Sequence, residues 1–257
     1  MPQETFHTLN GCRIRMMRAG RGATLLYLHG GNGASVWRPY MEDLAQRFDL
    51  IVPEHPGFGA SDTPEWLDSV GDLAFFYLDL MADLGLEQVN LLATSLGGWI
   101  AAEIAVRSSH PLRSLVLSAP AGIHVPGAPN GDIFMWSAEE TARNLFHDPA
   151  WTLQALQQQP SEAEQAVAMK NRETLAKLAW EPRLHNPHLA KWLHRIAVPT
   201  LILWGDGDKV IPPAHGPAFA RLIPRSRLEV IPNCGHLPHF ERRDAFVEHV
   251  TRFIEGV

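Results

Sequence analysis

Short apolar runs alternate with amphipathic segments along most of the chain. Four of these runs lie in its first half and are typical of strands buried within a sheet: residues 24–29, 50–52, 88–92 and 115–117. Between the second and third runs, apolar side chains recur at helical spacing, at Leu73, Phe76, Tyr77, Leu80 and Leu84. The alternation predicts an α/β protein, with a mostly parallel sheet covered by helices on both faces.

The same pattern predicts further strands at both ends of the chain. They lie at residues 6–9, 13–18, 200–204 and 228–231. Asn10 and Gly11 separate the first two, and this dipeptide is typical of a tight hairpin turn. Together with the four central runs, these segments predict a sheet of about eight strands.

Capping residues predict where the first helices begin. Ser35 precedes one amphipathic segment and Asp72 precedes another, and both residue types are favoured at helix N-caps. Gly85 follows the second segment, where glycine is typical of a helix end. We therefore expect Ser35 and Asp72 to cap these two helices.

Strand patterns stop at about residue 121 and return only after residue 196. Two capping boxes, beginning at Ser137 and Ser161, predict helices within this segment. A helical insertion of roughly 75 residues is too long to be a plain connection. We expect a core domain formed by residues 1–120 and 197–257, with residues 121–196 as a helical cap over an active site.

Composition and charge narrow the classes of function. The chain has 257 residues, 46% of them hydrophobic and 19% charged, and a formal net charge of −6. These values suit a globular domain, and an acidic chain without a basic patch argues against a nucleic-acid partner. The first residues have neither the cationic nor the apolar segment of a secretory signal, so we expect none. No run reaches the roughly 20 apolar residues of a membrane span, and only two cysteines occur. We expect a cytoplasmic monomer or homodimer that acts on a small molecule and not on a membrane.

The stretch with the clearest chemistry is residues 93–98, ATSLGG. It joins the strand at 88–92 to a helical pattern, so Ser95 is predicted to stand at a strand-to-helix turn. A tight turn of this kind lifts a serine hydroxyl above the sheet and places it at a helix N-terminus. A second loop, HGGNG at 29–33, has three glycines that let the backbone approach a ligand closely.

Five motifs resemble the α/β-hydrolase superfamily, in its branch of small hydrolases that carry a cap. In chain order they are His29-Gly30, the loop at 56–61, the turn at Ser95, Trp204-Gly205-x-x-Asp208 and Gly235-His236. The resemblance covers the whole chain apart from the cap and implies the α/β-hydrolase fold. Two positions depart from the family pattern: Ala93 stands where glycine is usual, and Glu54 where aspartate is usual.

The resemblance implies a catalytic triad with three separate roles. Ser95 is the nucleophile, His236 is the general base, and Asp208 orients the imidazole. Asp206 competes for the acid role, but the spacing from Trp204 favours Asp208 and leaves Asp206 as a turn residue.

The resemblance also implies an oxyanion hole built from backbone N–H groups. Leu96, directly after the nucleophile, supplies one donor, and Gly31 supplies the other, with Asn32 as the alternative. No cofactor and no metal are expected, because the histidines lack a metalloprotease pattern and the cysteines are too few for a zinc site.

Substrate-binding residues are less clearly marked. Candidates are Asn32 in the glycine-rich loop, Trp136 and Trp151 in the cap, and Leu237 after the catalytic histidine. We expect most cap aromatics to pack within the cap itself, with the remainder facing an apolar or aromatic substrate.

Three functions are the main candidates, and the motifs also leave open a lyase or a cofactor-free oxygenase that uses the same triad. The first is hydrolysis of an ester or related acyl bond through an acyl-enzyme on Ser95. The second is hydrolysis of a carbon–carbon bond in a meta-cleavage-product type diketone. Those hydrolases commonly carry asparagine before the nucleophile and tryptophan after the histidine, where this chain has Thr94 and Leu237. The third is a non-catalytic ligand receptor on the same fold.

Overall fold

The computed structural model describes all residues from 1 to 257 and is organised around an eight-stranded sheet. The strands are β1 (Gln3–Leu9), β2 (Cys12–Ala19), β3 (Thr24–Leu28), β4 (Asp49–Pro53), β5 (Val89–Thr94), β6 (Leu112–Ser118), β7 (Thr200–Gly205) and β8 (Ser226–Ile231). Their order across the sheet is β1-β2-β4-β3-β5-β6-β7-β8. Strand β2 is antiparallel to β1 and β4, and the other pairs are parallel. The predicted mostly parallel sheet of about eight strands is confirmed.

Nine α-helices and one 3₁₀ helix, Ala190–Arg195, accompany the sheet. The α-helices are α1 (Pro39–Ala45), α2 (Val70–Asp83), α3 (Leu96–Arg107), α4 (Ala138–Leu145), α5 (Pro149–Gln157), α6 (Glu162–Ala179), α7 (His215–Leu222), α8 (Pro238–Glu241) and α9 (Arg243–Glu255). Helices α4 to α6 and the 3₁₀ helix all lie between β6 and β7. No helix combines the length and the apolarity that crossing a lipid bilayer would require.

Alternate residues of the central strands face opposite sides of the sheet, as strand geometry requires. Leu26, Leu91 and Leu115 point into a core that they share with α2, α3 and α7. Leu25 and Leu92, one residue away, belong to a second core with α1 and α9. Because both faces of these strands are buried, their sequences are largely continuous apolar runs.

The predicted turn between β1 and β2 is present. Asn10 and Gly11 both have positive φ angles, 52° and 73°. This is the backbone of a two-residue hairpin loop, whose twist matches that of the flanking strands.

The two predicted helix caps are wrong. Helix α1 begins at Pro39, and the Ser35 hydroxyl instead donates to the Glu54 carboxylate at 2.7 Å. Helix α2 is capped by Ser69, whose hydroxyl accepts the Asp72 N–H, while the Asp72 carboxylate accepts the Ser69 N–H at 2.7 Å. Asp72 is therefore the third helical residue of a reciprocal capping box. Ser35 caps no helix, because its hydroxyl donates to Glu54.

Candidate active site

Ser95 forms the turn between β5 and α3, with φ of 53° and ψ of −115°. These angles are unfavourable for a non-glycine residue, so neighbouring packing must hold them. A Cβ atom at Gly97 would lie 2.2 Å from the Leu28 carbonyl oxygen, and one at Gly98 would lie 2.7 Å from the Pro120 side chain. The two glycines thus let the helix start pack directly on its neighbours. Ala93, where the family pattern has glycine, is fully buried in β5.

A continuous chain of hydrogen bonds joins Ser95, His236 and Asp208. The Ser95 Oγ lies 2.9 Å from His236 Nε2, and His236 Nδ1 lies 2.8 Å from Asp208 Oδ2. When the neutral imidazole donates its Nδ1–H to Asp208, Nε2 is left free to accept the Ser95 hydroxyl proton. His236 and Asp208 are buried, whereas Ser95 is partly exposed. The structure therefore brings together the three residues chosen from motif order.

The orientation of the Asp208 carboxylate is fixed by the backbone. Its other oxygen, Oδ1, accepts N–H groups from Val210 at 2.8 Å and Ile211 at 2.9 Å. Asp206 is exposed instead, and its Oδ1 accepts the Cys234 N–H at 3.2 Å. Asp206 thus ties two loops together without contacting His236.

The glycine-rich loop lies against Ser95. The Gly33 N–H donates to the Gly30 carbonyl at 3.1 Å, which closes a turn around Gly31 and Asn32. A Cβ atom at Gly30 would lie 3.3 Å from Ser95 Cβ. On the other side, Leu96 is the first residue of α3, so its N–H has no acceptor within the helix. The candidate donors Gly31 and Leu96 therefore belong to backbone segments that flank the serine.

Two buried histidines, His29 and His55, hold the start of this loop. Their rings stack with centroids 3.6 Å apart. The His55 N–H donates to His29 Nε2 at 3.0 Å, so neutral His29 carries its proton on Nδ1 and donates it to the Gly30 carbonyl at 2.7 Å. His55 Nε2 donates to the His29 carbonyl, which leaves His55 Nδ1 to accept from Tyr77 Oη at 2.5 Å. The His29 ring must be neutral for Nε2 to accept the His55 N–H.

Burial keeps these imidazoles neutral. It lowers the pKa of His29 to about 4 and that of His55 well below its usual value. Near the active site, burial and the neighbouring His236 lower the pKa of His239 to about 3. His239 packs edge-on against Tyr40, and its Nδ1 has no hydrogen-bond partner.

These neutral histidines predict a loss of stability in acid. In the unfolded chain each titrates near its ordinary pKa of about 6.5, so below that pH the unfolded state binds more protons than the folded state. The free energy of unfolding should therefore fall from about pH 6.5 downward, by about 1.4 kcal/mol per pH unit for each such histidine, until its folded pKa is reached. Urea unfolding between pH 7.5 and 4.5 measures the slope. His239→Leu should reduce that slope by one proton, and an unchanged slope would contradict the assignment for His239.

The insertion contacts the loops that carry the candidate site. The His236 N–H donates to the Leu145 carbonyl at 2.8 Å, and the Gly131 N–H donates to the Val210 carbonyl at 2.7 Å. The Ala121 N–H donates to the Ser95 carbonyl at 3.1 Å. The insertion is thus bonded to the backbone beside each member of the Ser95, His236 and Asp208 chain.

Glu241 reinforces one of these connections. This buried carboxylate accepts the Gly235 N–H at 2.6 Å through one oxygen. Its other oxygen accepts the N–H groups of His147 at 2.8 Å and Asp148 at 2.5 Å, at the start of α5. A single side chain thereby joins the loop that carries His236 to the insertion. Sequence patterns did not point to it.

The predicted substrate-binding residues lie in different surroundings. Trp151 is partly buried, stacks on Phe146 with centroids 5.8 Å apart, and contacts Phe240 edge-on at 6.5 Å. Leu237, also partly buried, directly precedes α8. Phe146, Trp151 and Phe240 thus form an apolar patch, and Leu237 lies next to His236 in the chain.

The other two candidates differ from this patch. The ring of Trp136 covers Gly131, where an added Cβ would lie 2.3 Å from the ring. Asn32 is exposed, and its carbonyl accepts from the side chain of Asn171 on α6 at 2.9 Å. Substrate contact by Asn32, Trp136, Trp151 and Leu237 stays a prediction.

The cysteines are not thiolates at neutral pH. Burial raises the pKa of Cys12 to about 11 and that of Cys234 to about 12. Cys234 therefore serves as a small buried residue, although it stands two positions before His236. The side chains form no cluster of three or more potential metal ligands.

Known proteins resemble this chain along nearly its full length. The pattern of the alpha/beta hydrolase family matches residues 25–249. The 2-hydroxy-6-oxo-6-phenylhexa-2,4-dienoate hydrolase of Burkholderia cepacia is 27% identical and aligns over 93% of this chain and 90% of its own length.

Two solved structures extend the comparison. A bacterial membrane phospholipase A described as a virulence factor superposes with a TM-score of 0.80 and 26% identity, over 99% of this chain and 86% of its own. A thermophilic esterase from Thermogutta terrifontis superposes with a TM-score of 0.79 and 25% identity, over 100% and 98%.

Proposed function

This chain belongs to the alpha/beta hydrolase family, and from that premise we propose that it cleaves an ester or related acyl bond through an acyl-enzyme on Ser95. The observation that carries the proposal is the hydrogen-bonded chain from Ser95 through His236 to Asp208, with distances of 2.9 and 2.8 Å. A serine hydroxyl is a poor nucleophile at neutral pH, and this arrangement supplies the base that it needs.

The reaction divides into two steps that use the same groups. Ser95 Oγ attacks the acyl carbon as its proton passes to His236 Nε2, and the substrate carbonyl oxygen becomes an oxyanion. The bond to the alcohol then breaks, the alcohol oxygen takes the proton from His236, and an acyl-enzyme remains. Water repeats the sequence: it gives a proton to His236, attacks the acyl carbon, and releases the acid as Ser95 regains its proton.

We assign the oxyanion hole to the N–H groups of Leu96 and Gly31. Two features favour these donors: Leu96 is the first residue of α3, and the Gly30–Gly33 turn lies against Ser95. Donors fixed before the reaction stabilise the developing charge without rearrangement, and losing one lowers the rate by about 10²- to 10³-fold.

We also propose that residues 121–196 form a cap that selects an apolar or aromatic acyl substrate. Two groups of side chains support this role. Leu175 of α6 lies over Gly31, where an added Cβ would be 2.7 Å from its methyl carbon. The patch of Phe146, Trp151 and Phe240 lies beside the loop that carries His236. A substrate bound at Ser95 would have apolar surface on both sides.

Carbon–carbon bond hydrolysis is the second candidate, favoured by the Burkholderia cepacia relative and by similar dienoate hydrolases of Comamonas testosteroni. In that reaction the acyl carbon separates from a carbon atom, which must then be protonated. Against it, the Thr94 hydroxyl is buried and bonded to Tyr27 at 2.9 Å, and Leu237 is apolar. Neither side chain matches the polar asparagine and the tryptophan that are common in those enzymes.

A substrate panel distinguishes the candidates. We expect the purified protein to hydrolyse p-nitrophenyl esters, to turn over phenyl-substituted dienoate at least 100-fold more slowly, and to be labelled at Ser95 by a fluorophosphonate. Faster turnover of the coloured dienoate would favour carbon–carbon hydrolysis. Absence of labelling at Ser95 would reject the acyl-enzyme and favour the non-catalytic receptor.

A further inference from the structure

Helix α6 places a buried amide between two loops of the core. Asn171 is 3% exposed. Its Nδ2 donates to the Asn32 carbonyl at 2.9 Å, and its Oδ1 accepts the Gly59 N–H at 2.8 Å. Both contacts join the insertion to backbone at the carboxyl ends of neighbouring strands, since Asn32 follows β3 and Gly59 follows β4.

The surrounding chain leaves just enough room for this amide. A Cβ atom at Gly33 would lie 2.6 Å from Asn171 Nδ2, and Gly33 has a positive φ of 83°. An apolar residue at position 171 would leave the buried Gly59 N–H without its acceptor and the Asn32 carbonyl without its side-chain donor. The amide therefore satisfies two backbone groups that the local chain does not.

The Asn171 contact falls on the turn that carries Gly31. This turn, residues 30–33, is held at its start by His29, which donates to the Gly30 carbonyl at 2.7 Å. Asn171 holds its far end through the Asn32 carbonyl. Glycine-rich backbone can rotate its peptide groups easily. The Gly31 N–H shares a rigid peptide plane with the Gly30 carbonyl, and the Asn32 carbonyl shares one with the Gly33 N–H, which donates to the Gly30 carbonyl at 3.1 Å. Holding the Asn32 carbonyl therefore steadies the Gly33 donor and, through it, the peptide that carries the Gly31 N–H.

We propose that Asn171 is a positioning residue for the oxyanion hole: by anchoring the Asn32 carbonyl from the insertion, it aims the Gly31 N–H at the oxyanion. The inference rests on the proposed function, because it assumes acyl transfer at Ser95. It also means that the α6 helix contributes to the chemical step as well as to substrate selection. Asn171 does not touch the reacting atoms.

Thr174 provides a matched control on the same helix. It is also buried, and its hydroxyl donates to the Gly57 carbonyl at 2.7 Å, in the same interface between α6 and the core. Its hydrogen bond does not involve the turn at residues 30–33. Loss of either hydrogen bond weakens the packing of α6 against the core, but only the Asn171 hydrogen bond anchors the turn at residues 30–33.

The test compares Asn171→Asp and Asn171→Ala with Thr174→Val. Aspartate keeps an acceptor for the Gly59 N–H but presents an oxygen to the Asn32 carbonyl. We expect kcat for a p-nitrophenyl ester to fall about 10- to 100-fold in Asn171→Asp, with KM changed less than about two-fold, because one oxyanion donor is misaligned. In Asn171→Ala, which leaves room for water, kcat should also fall. This second variant keeps the test valid if Asn171→Asp does not fold. Thr174→Val should keep kcat within about two-fold.

A trifluoromethyl ketone adds a readout that a structural role would not move. Its adduct with Ser95 carries an oxyanion, so its affinity should fall by the same factor as kcat/KM in the Asn171 variants. Equal losses in Thr174→Val, or unchanged ketone affinity beside a reduced kcat, would overturn the positioning role. Fluorophosphonate labelling of the wild type distinguishes failure of this inference from failure of the proposed function. If the wild type is labelled and active and the Asn171 variants are unaffected, only this inference is rejected. If the wild type is not labelled, the proposed function is rejected and the inference with it.

Discussion

Ser95→Ala is expected to lower kcat for ester hydrolysis by about 10⁴- to 10⁶-fold, because removal of a triad nucleophile leaves only the residual catalysis of binding and the oxyanion hole. KM should change little. The hydroxyl is the only group removed, so the fold should persist, with a melting temperature within a few degrees of the wild type. Steady-state kinetics, together with thermal unfolding by circular dichroism, provide the measurement.

Ser118→Ala is the matched control for this substitution. Ser118 is buried, stands opposite Thr94 in the neighbouring strand β6, and has a hydroxyl without a hydrogen-bond partner. Its loss should leave kcat within about two-fold. If Ser95→Ala kept wild-type activity, the nucleophile would have to lie elsewhere and the acyl-enzyme on Ser95 would be rejected.

Asp208→Asn should lower kcat by about 10⁴-fold, through the wrong tautomer of His236. The N–H groups of Val210 and Ile211 both point at Oδ1, so the variant's amide oxygen must stay there. The amide Nδ2 then faces His236 Nδ1 and donates to it. In this tautomer the histidine proton sits on Nε2, which can no longer accept the proton of Ser95.

Asp206→Asn is the comparison that tests the choice of acid. Asp206 is exposed and accepts a single N–H through Oδ1, which an amide oxygen can also accept. Its kcat should stay within about three-fold of wild type when both variants are assayed with the same ester. The reverse pattern, a mild Asp208→Asn and a damaging Asp206→Asn, would transfer the acid role to Asp206.

The strands and the catalytic motifs could be predicted because their signals are local. The strand before Ser95 is apolar at four of its six positions and buried at all six. Gly97 and Gly98 mark a turn whose helix start packs closely on its neighbours, with Gly97 against β3. The family resemblance identified His236 and Asp208 by the order of their motifs. The parallel sheet explains why residues in that order come together. Strands running in the same direction deliver their following loops to one edge, so residues after β5, β7 and β8 meet.

Helix starts were less predictable because several residues near a boundary can act as caps. Asp72 and Ser69 both suit the start of α2, and the geometry of the reciprocal box decides that Ser69 is the cap. Ser35 failed as a cap because it donates to Glu54, a buried carboxylate 19 residues away in sequence. A local pattern does not reveal such a competing partner.

The sequence by itself determined the order of strands and helices, the serine turn and the chemistry of the three candidate catalytic side chains, because each depends on neighbouring residues or on motif order. Only the tertiary structure decided how the loops around them are held. The Asn171 amide meets the Asn32 carbonyl from 139 residues away, and Glu241 binds the backbone of Asp148 from 93 residues away. Such contacts satisfy buried backbone groups whose need for a partner arises only when the chain has folded.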